Sequence, residues 1–345
     1  MKPLKELVRE NIYNLKAYSS ARSEFKGDAS VFIDANENPY NTLCNRYPDP
    51  LQTSVKEKIA VVKRVKAENI FLGVGSDEPI DLLYRVFCEP GRDNAVAIDP
   101  TYGMYGVCAD INNVEYRRVR LDDKFDFSAD NLLAVTDDNT KLIWLCSPNN
   151  PSGNSLSCTE IEKVINKFGG IVVLDEAYID FSSIPTLLTQ LNNYPNLVIL
   201  QTFSKAWGSA GIRLGMAFAS KDIIAIFNKV KYPYNVNILA QRYAIKLLDK
   251  ASDVKAKVDE IIKNRVYLEK KLGKLPCIKK IYPSDSNFIL VSTSDAKSIY
   301  SYLVANGIIV RNRHGITLCD QCLRITVGTR ADIKKLITAL TSYKR

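Results

Sequence analysis

The sequence predicts an α/β fold: a mainly parallel central sheet flanked by helices, with a smaller α/β C-terminal domain. Three observations carry that prediction. The chain has 345 residues, enough for two lobes around a sizeable core. Between about Asn69 and Ala219, short apolar runs alternate with longer stretches of helical spacing, the pattern of crossover βαβ units. Beyond about residue 220 the texture changes to long charged helices and then to a shorter strand, helix, strand, strand series.

Taken in order, residues 1–30 read as an N-terminal arm that opens with the short amphipathic stretch MKPLKELVRENIYNL. A large domain is expected over 31–240. Its strand runs are NIFLGV, NAVAID, VEYRRV, KLIWLCS, GIVVLDEAY, LVILQTFS and LGMAFAS. Most are continuous rather than alternating, as expected of strands buried on both faces. The segment 77–89, DEPIDLLYRVFCE, has apolar residues at helical spacing and is stopped by Pro90-Gly91. A small domain is expected over 241–345. Long helices over roughly 235–271 lead into NFILVST, a helix over 295–306, GIIVRNR, CLRITVG and a last helix from Arg330 to about Ser342. No Pro/Gly/Ser linker separates the two lobes, so continuous helix is expected to join them, with a ligand cleft between.

Composition narrows the chemistry. His314 is the single histidine, which excludes His-rich metal designs and leaves it as the only imidazole available to a Ser-His-Asp or Cys-His arrangement. Chemistry must then come from Lys, Asp, Tyr or Arg, or from a borrowed cofactor. The net charge of +9 is scattered among acids without a dense basic tract, so no nucleic-acid partner is expected. Eight cysteines in apolar or mixed contexts fit free thiols of a reducing compartment. Cys319-Asp-Gln-Cys322, close after His314, lacks a second pair at zinc spacing, so no metal is expected. No run of 18 apolar residues and no cleavable leader appear, so a cytoplasmic protein without a membrane partner is expected.

Four stretches carry candidate chemistry. Thr202-Phe-Ser-Lys205-Ala-Trp-Gly-Ser-Ala-Gly-Ile-Arg213 follows the strand LVILQ. A lysine there, desolvated beside a cation, loses pKa and becomes a nucleophile suited to a Schiff base; Thr202, Ser204 and Arg213 could hold a phosphate. Ser204 as an ordinary helix cap before an exposed lysine is the simpler alternative. Asp175 ends the apolar strand GIVVLD, where an ionised carboxylate needs a cationic partner such as a protonated pyridine nitrogen; Tyr178 could donate to a ring oxygen. A turn or cap would also place an Asp there. Ser147-Pro-Asn-Asn150-Pro-Ser-Gly153 is a stiff loop able to fix the Asn150 amide, although a plain turn uses the same residues. Gly73-Val-Gly75-Ser76-Asp77-Glu78 is a glycine turn at a helix start, suited to a phosphate and equally to capping. Tyr102, in DPTYGMY, offers either a stacking face or core packing.

In their order, GVGSDE, PTYGMY, SPNNPSG, VVLDEAY and TFSKAWGSAGIRLG resemble the fold-type-I pyridoxal-phosphate enzymes, specifically the class II aminotransferases. The ends narrow the likeness. Ala17-Tyr18, Asp34-Ala-Asn36-Glu-Asn-Pro-Tyr40, Asn45-Arg-Tyr47-Pro-Asp-Pro, Val310-Arg311 and Leu323-Arg324-Ile-Thr-Val-Gly328 are similar to the histidinol-phosphate aminotransferases, a likeness that spans about residues 18 to 330.

The resemblance implies roles. Lys205 would bond the cofactor and move the substrate proton, Asp175 would pair with the pyridine nitrogen, and Tyr178 with Asn150 would hold the ring oxygen. Tyr102 would stack on the ring. Ser76, Asp77, Thr202, Ser204 and Arg213 would hold the cofactor phosphate, joined by Tyr47 from the other subunit of a homodimer. Tyr18, Asn36, Arg311 and Arg324 would bind substrate: a small phosphorylated amino donor, and glutamate or 2-oxoglutarate in the return step. A threonine-phosphate decarboxylase, an aromatic amino acid aminotransferase and a non-catalytic ligand-binding relative stand as alternatives. Ser152 departs from the family's usual Thr, and the segment from Asn312 to Gln321 brings His314 and Cys319/Cys322 next to the arginines.

Overall fold

The computed structural model describes residues 2–19, 27 and 29–343. Eleven strands form two sheets among these residues. The larger is built from β1 (Ile70–Val74), β2 (Asn94–Asp99), β3 (Glu115–Arg120), β4 (Thr140–Cys146), β5 (Ile171–Asp175), β6 (Leu197–Thr202) and β7 (Leu214–Phe218), in the order β1-β7-β6-β5-β4-β2-β3. β3, β2, β4, β5 and β6 pair in parallel. β7 is inserted antiparallel between β6 and β1. The expected mainly parallel sheet is therefore present, with one reversed strand that its apolar run does not announce.

The continuous apolar runs are explained by two cores, one on each face. Ile143 and Leu145 pack into one cluster, with Val172, Leu174 and Ile199. Leu142 and Trp144 pack into the other, with Val173, Val198 and Leu200. Alternate side chains of a strand point to opposite faces, so both sets must be apolar. The helix Asp77–Phe87 covers the second face with Ile80, Leu83, Tyr84 and Phe87.

Two helices, Ile238–Leu248 and Ala251–Leu272, occupy the stretch in which long helices were expected. The break falls at Asp249-Lys250, where a weak helix former ends the first segment. The second helix spans both lobes: Val254 and Val258 join the large sheet's core, while Leu268 and Leu272 join a third cluster. That cluster backs the smaller sheet of β8 (Ile278–Ile281), β9 (Phe288–Thr293), β10 (Arg311–Asn312) and β11 (Cys322–Thr326), in the order β10-β11-β9-β8. Ile289, Val291, Leu323 and Ile325 face it. The opposite face presents Phe288, Leu290 and Cys322 to the core of the large sheet. Of the expected strand GIIVRNR only Arg311–Asn312 forms a strand, β10, with the Arg313 N–H adding a bond to the Cys322 carbonyl at 2.9 Å. Among the described residues no helix is long and apolar enough to cross a membrane.

At the seam between β1 and β7 the backbones approach unusually closely. Gly215 of β7 lies opposite Gly73, and a Cβ on Gly215 would run into the backbone of Gly75 and Ser76. Gly75 itself is left-handed (φ +70°) and donates its N–H to the Arg213 carbonyl at 2.9 Å. The two strands can meet this closely only because Gly215 has no side chain.

Candidate functional site

Parallel strands place their carboxyl ends on one edge, and that edge carries the candidate residues. β2 leads to Tyr102, β4 to Asn149 and Asn150, β5 ends in Asp175 and β6 ends in Thr202. β7 runs the other way, so its beginning, at Arg213, lies on the same edge. The strand order reverses between β2 and β4, the kind of switch point at which open α/β sheets bind ligands.

Asp175 is the most constrained of these groups. It is 3% exposed, and its carboxylate accepts from the Tyr105 hydroxyl at 2.6 Å and the Ala177 N–H at 3.0 Å. No ion pair reaches it among the described residues. Burial raises its pKa above the ordinary carboxylate range, against the opposing effect of the Tyr105 bond. Burial also drives the Tyr105 hydroxyl well above its usual range, so it stays a donor. Tyr105 is held in a stack on Trp144, with centroids 4.6 Å apart.

Lys205 follows β6 after Ser204, and its side chain is open to the cleft. Its Nζ lies 5.6 Å from the centroid of the Tyr178 ring and makes no hydrogen bond or ion pair among the described residues. Partial burial lowers its pKa, helped by the Arg324 guanidinium and opposed by Asp175 and Asp77. The Tyr178 hydroxyl is raised, chiefly by burial. An amine with reduced basicity thus shares a cleft with a buried acid and neutral tyrosines, as nucleophilic and proton-transfer chemistry requires.

The phosphate-suited groups assemble around the same edge. Ser76 heads the helix Asp77–Phe87 but makes no capping bond with its hydroxyl, whereas Glu78 reaches back to accept the Val74 N–H at 2.5 Å. Tyr102 donates to Asp77 Oδ1 at 3.1 Å, and Arg213 Nη2 lies 3.6 Å from Asp77 Oδ2. Thr202 Oγ1 accepts the Ser204 N–H at 3.1 Å. Asn149, which sequence reasoning passed over for its neighbour, is fully buried and ties two loops together. It accepts from Thr101 and donates to the Pro100 carbonyl and to Ser152 Oγ. The hydroxyl that Ser152 shares with the family's usual Thr therefore has a partner here. The Asn150 amide oxygen accepts from Arg324 Nη1, which joins the two sheets across the cleft.

Arg311 and Arg324 are directly opposed in the β10–β11 pair. Burial lowers the pKa of Arg324, and Arg311 adds to the effect. Tyr18, Asn36 and Tyr47 are not brought to this cluster within the chain. Tyr18 and Asn36 are exposed, and Tyr47 is half exposed with its ring stacked on Tyr234 at 4.4 Å. His314 is exposed and accepts the Gln321 N–H, whereas Cys319 and Cys322 are buried. Among the described residues no group of three His, Cys, Asp or Glu converges. Two further residues were missed in the sequence: Tyr105, legible only as an aromatic of PTYGMY, and Arg313, legible only as the end of the expected strand GIIVRNR.

Comparison with known proteins agrees with this geometry. The model of aminotransferase class I and II matches residues 24–340. The histidinol-phosphate aminotransferase of Bacteroides thetaiotaomicron is 60% identical over 345 residues, which is 100% of both chains. Among solved structures, the histidinol-phosphate aminotransferase of Clostridium acetobutylicum superposes with a TM-score of 0.79 at 24% identity, covering 86% of this chain and 90% of that one. That of Sinorhizobium meliloti, solved in complex with pyridoxal-5'-phosphate, gives 0.77 at 24% identity over 86% and 82%.

Proposed function

Because the chain belongs to the aminotransferase class I and II family, we propose that it moves an amino group between L-histidinol phosphate and 2-oxoglutarate. The products are imidazole acetol phosphate and L-glutamate, and the cofactor is pyridoxal phosphate. The observation that carries this reading is the buried Asp175, without an ionic partner among the described residues, sharing a cleft with the depressed amine of Lys205 and with Arg324, which Arg311 faces across the β10–β11 pair. The residues fit the cofactor: Asp175 lacks the cation that a pyridinium would provide, and Ser76 keeps an uncommitted hydroxyl at a helix N-terminus.

Pyridoxal phosphate, when bound, supplies a carbonyl for the amine and an electron sink for the substrate's α-carbon. Lys205 Nζ, uncharged more readily than an ordinary lysine, takes the proton from the substrate's α-carbon and returns it. Asp175, held by the Tyr105 hydroxyl, would pair with the ring nitrogen and keep it protonated, and Tyr178 and Asn150 would donate to the ring oxygen. Tyr102 would stack on the ring. The backbone of Ser76 and Asp77, with Thr202, Ser204 and Arg213, holds the phosphate. Arg324 and Arg311 take the anionic end of either substrate, because a guanidinium fork fits phosphate and carboxylate alike.

The direct test is the visible absorption of cofactor-loaded protein. Adding L-histidinol phosphate without a keto acid should remove the yellow band, and 2-oxoglutarate should restore it. A band indifferent to L-histidinol phosphate would sink the substrate assignment, and release of carbon dioxide from threonine phosphate would replace it with a decarboxylase.

A homodimer with shared sites belongs to the same proposal. Tyr40, Leu43, Tyr47, Leu239 and Tyr243 expose large apolar side chains, and Arg242 donates to the Leu43 carbonyl at 3.1 Å, so the N-terminal segment lies against the helix Ile238–Leu248. A second copy covering this face would carry Tyr47 to the partner's phosphate. Sedimentation equilibrium should give twice the chain mass of 38.7 kDa, and a monomeric mass would remove the shared site. A cytoplasmic location is proposed with it, supported by eight cysteines, all of them free.

A further inference from the structure

The pairing of β10 with β11 extends one residue beyond β10. After the register Arg311↔Arg324 and Asn312↔Leu323, the Arg313 N–H donates to the Cys322 carbonyl at 2.9 Å. Side chains alternate along a strand, so Arg313 falls on the face of Arg311, Arg324 and Cys322. That face is the one whose Phe288, Leu290 and Cys322 pack toward the large sheet. Three guanidiniums therefore belong to the cleft side of the small sheet, of which the family's motifs account for two.

Arg313 is placed as if awaiting a partner. It is half-buried, its Nε is shielded from solvent without a hydrogen-bond acceptor, and no carboxylate pairs with it among the described residues. Its charged neighbours are Arg324 and Arg311, and Tyr178 and Cys319 also face it. Burial first, and the two arginines second, push its pKa down to about 10. A desolvated guanidinium with an orphan donor beside like charges costs stability in the free protein. An arriving anion relieves that cost, and does so more fully the more charge it carries.

The two anions of the proposed reaction differ in that respect. A phosphate monoester carries a charge of about −1.5 to −2 at neutral pH with three acceptor oxygens, whereas the glutamate side chain carries a single negative charge on two. Arg311 and Arg324 can serve either. We infer that Arg313 is a specificity-determining residue, a third guanidinium that favours the phosphate end of the amino donor over the carboxylate of glutamate. This inference deepens the function proposed above and rests on it.

The test compares the loaded parent enzyme with Arg313→Gln and Arg313→Lys in the two half-reactions separately. For Arg313→Gln, kcat/KM toward L-histidinol phosphate should fall about 10- to 100-fold, chiefly through KM, the range expected for a lost charge-assisted bond. The glutamate half-reaction should fall by no more than about 3-fold, and inorganic phosphate, used as a competitor of glutamate, should weaken in parallel with the phosphorylated donor. Arg313→Lys should recover much of the loss by restoring the charge. Equal losses on both substrates would reduce Arg313 to structural support, and unchanged discrimination would overturn the inference outright. If the parent itself ignores L-histidinol phosphate, the substrate assignment fails. Phosphate competition against glutamate then decides on Arg313: an unaltered inhibition constant in Arg313→Gln overturns it.

Discussion

Replacing Lys205 by alanine is expected to lower transamination by at least about 10⁴-fold, because the variant loses both the covalent amine and the proton carrier. The fold should survive. The Lys205 ammonium makes no hydrogen bond or ion pair among the described residues, and it is repelled by Arg324 and Arg213 while attracted by Asp175 and Asp77. Removing it deletes only a long contact with the Tyr178 ring, so thermal stability of the cofactor-free protein should stay within about 1 kcal/mol of the parent. Steady-state rates with paired thermal melts decide the matter. Residual turnover within about 10-fold of the parent would refute the assigned role, and a collapsed melting transition would show that the lysine supports structure instead.

Asp175→Asn should separate chemistry from stability in the opposite sense. The substitution keeps the shape but removes the negative charge that a protonated ring needs, and kcat should fall about 10²- to 10³-fold, the cost of losing one preorganised electrostatic partner. Without cofactor, the same change should stabilise the protein near neutral pH. Burial raises the folded-state pKa of Asp175, so its ionisation disfavours the folded state at every pH above the unfolded carboxylate value of about 3.9 and has no effect well below it. The stability difference between variant and parent should therefore grow as pH rises through the acid range and vanish as pH falls. Melting curves across that range, taken with and without pyridoxal phosphate, test both halves. A variant less stable than the parent at neutral pH, or one retaining nearly full activity, would contradict the account.

The parts of this molecule legible in its sequence are those where one local anomaly has one physical reading. An apolar run closed by a carboxylate, as in GIVVLD175, is costly unless something pairs with it, and the same logic marks Thr202 and Lys205. Strands buried on both faces also declare themselves through unbroken apolar composition. The direction of β7 does not, because LGMAFAS reads the same whichever way it runs; its reversal shows only in its antiparallel pairing with β1 and β6, a matter of distant segments. Tyr105 was hidden for a related reason. Its ring is indistinguishable from core packing, and only the fold brings its hydroxyl to Asp175. Arg313 went unremarked at the end of the expected strand GIIVRNR because the register that sets it opposite Cys322 belongs to the pairing of two segments, which spacing alone does not reveal.

The meeting of Gly215 with Gly75 and Ser76 also governs how the protein comes together. Ser76 and Asp77 belong to the first turn after β1, while Thr202, Ser204 and Arg213 come with β6 and β7, which lie beside β1 in the sheet but far later in the chain. Neither group can bind a phosphate alone. The anion would therefore bridge a closure that spans most of the large sheet's sequence, and such long loops are the slow and entropically expensive events of folding. A ligand that binds only the closed form acts as a removable clasp, adding stability in proportion to the logarithm of its concentration over its dissociation constant. Chains short of cofactor would thus be disadvantaged twice, first in catalysis and then in their resistance to opening at the seam between β1 and β7.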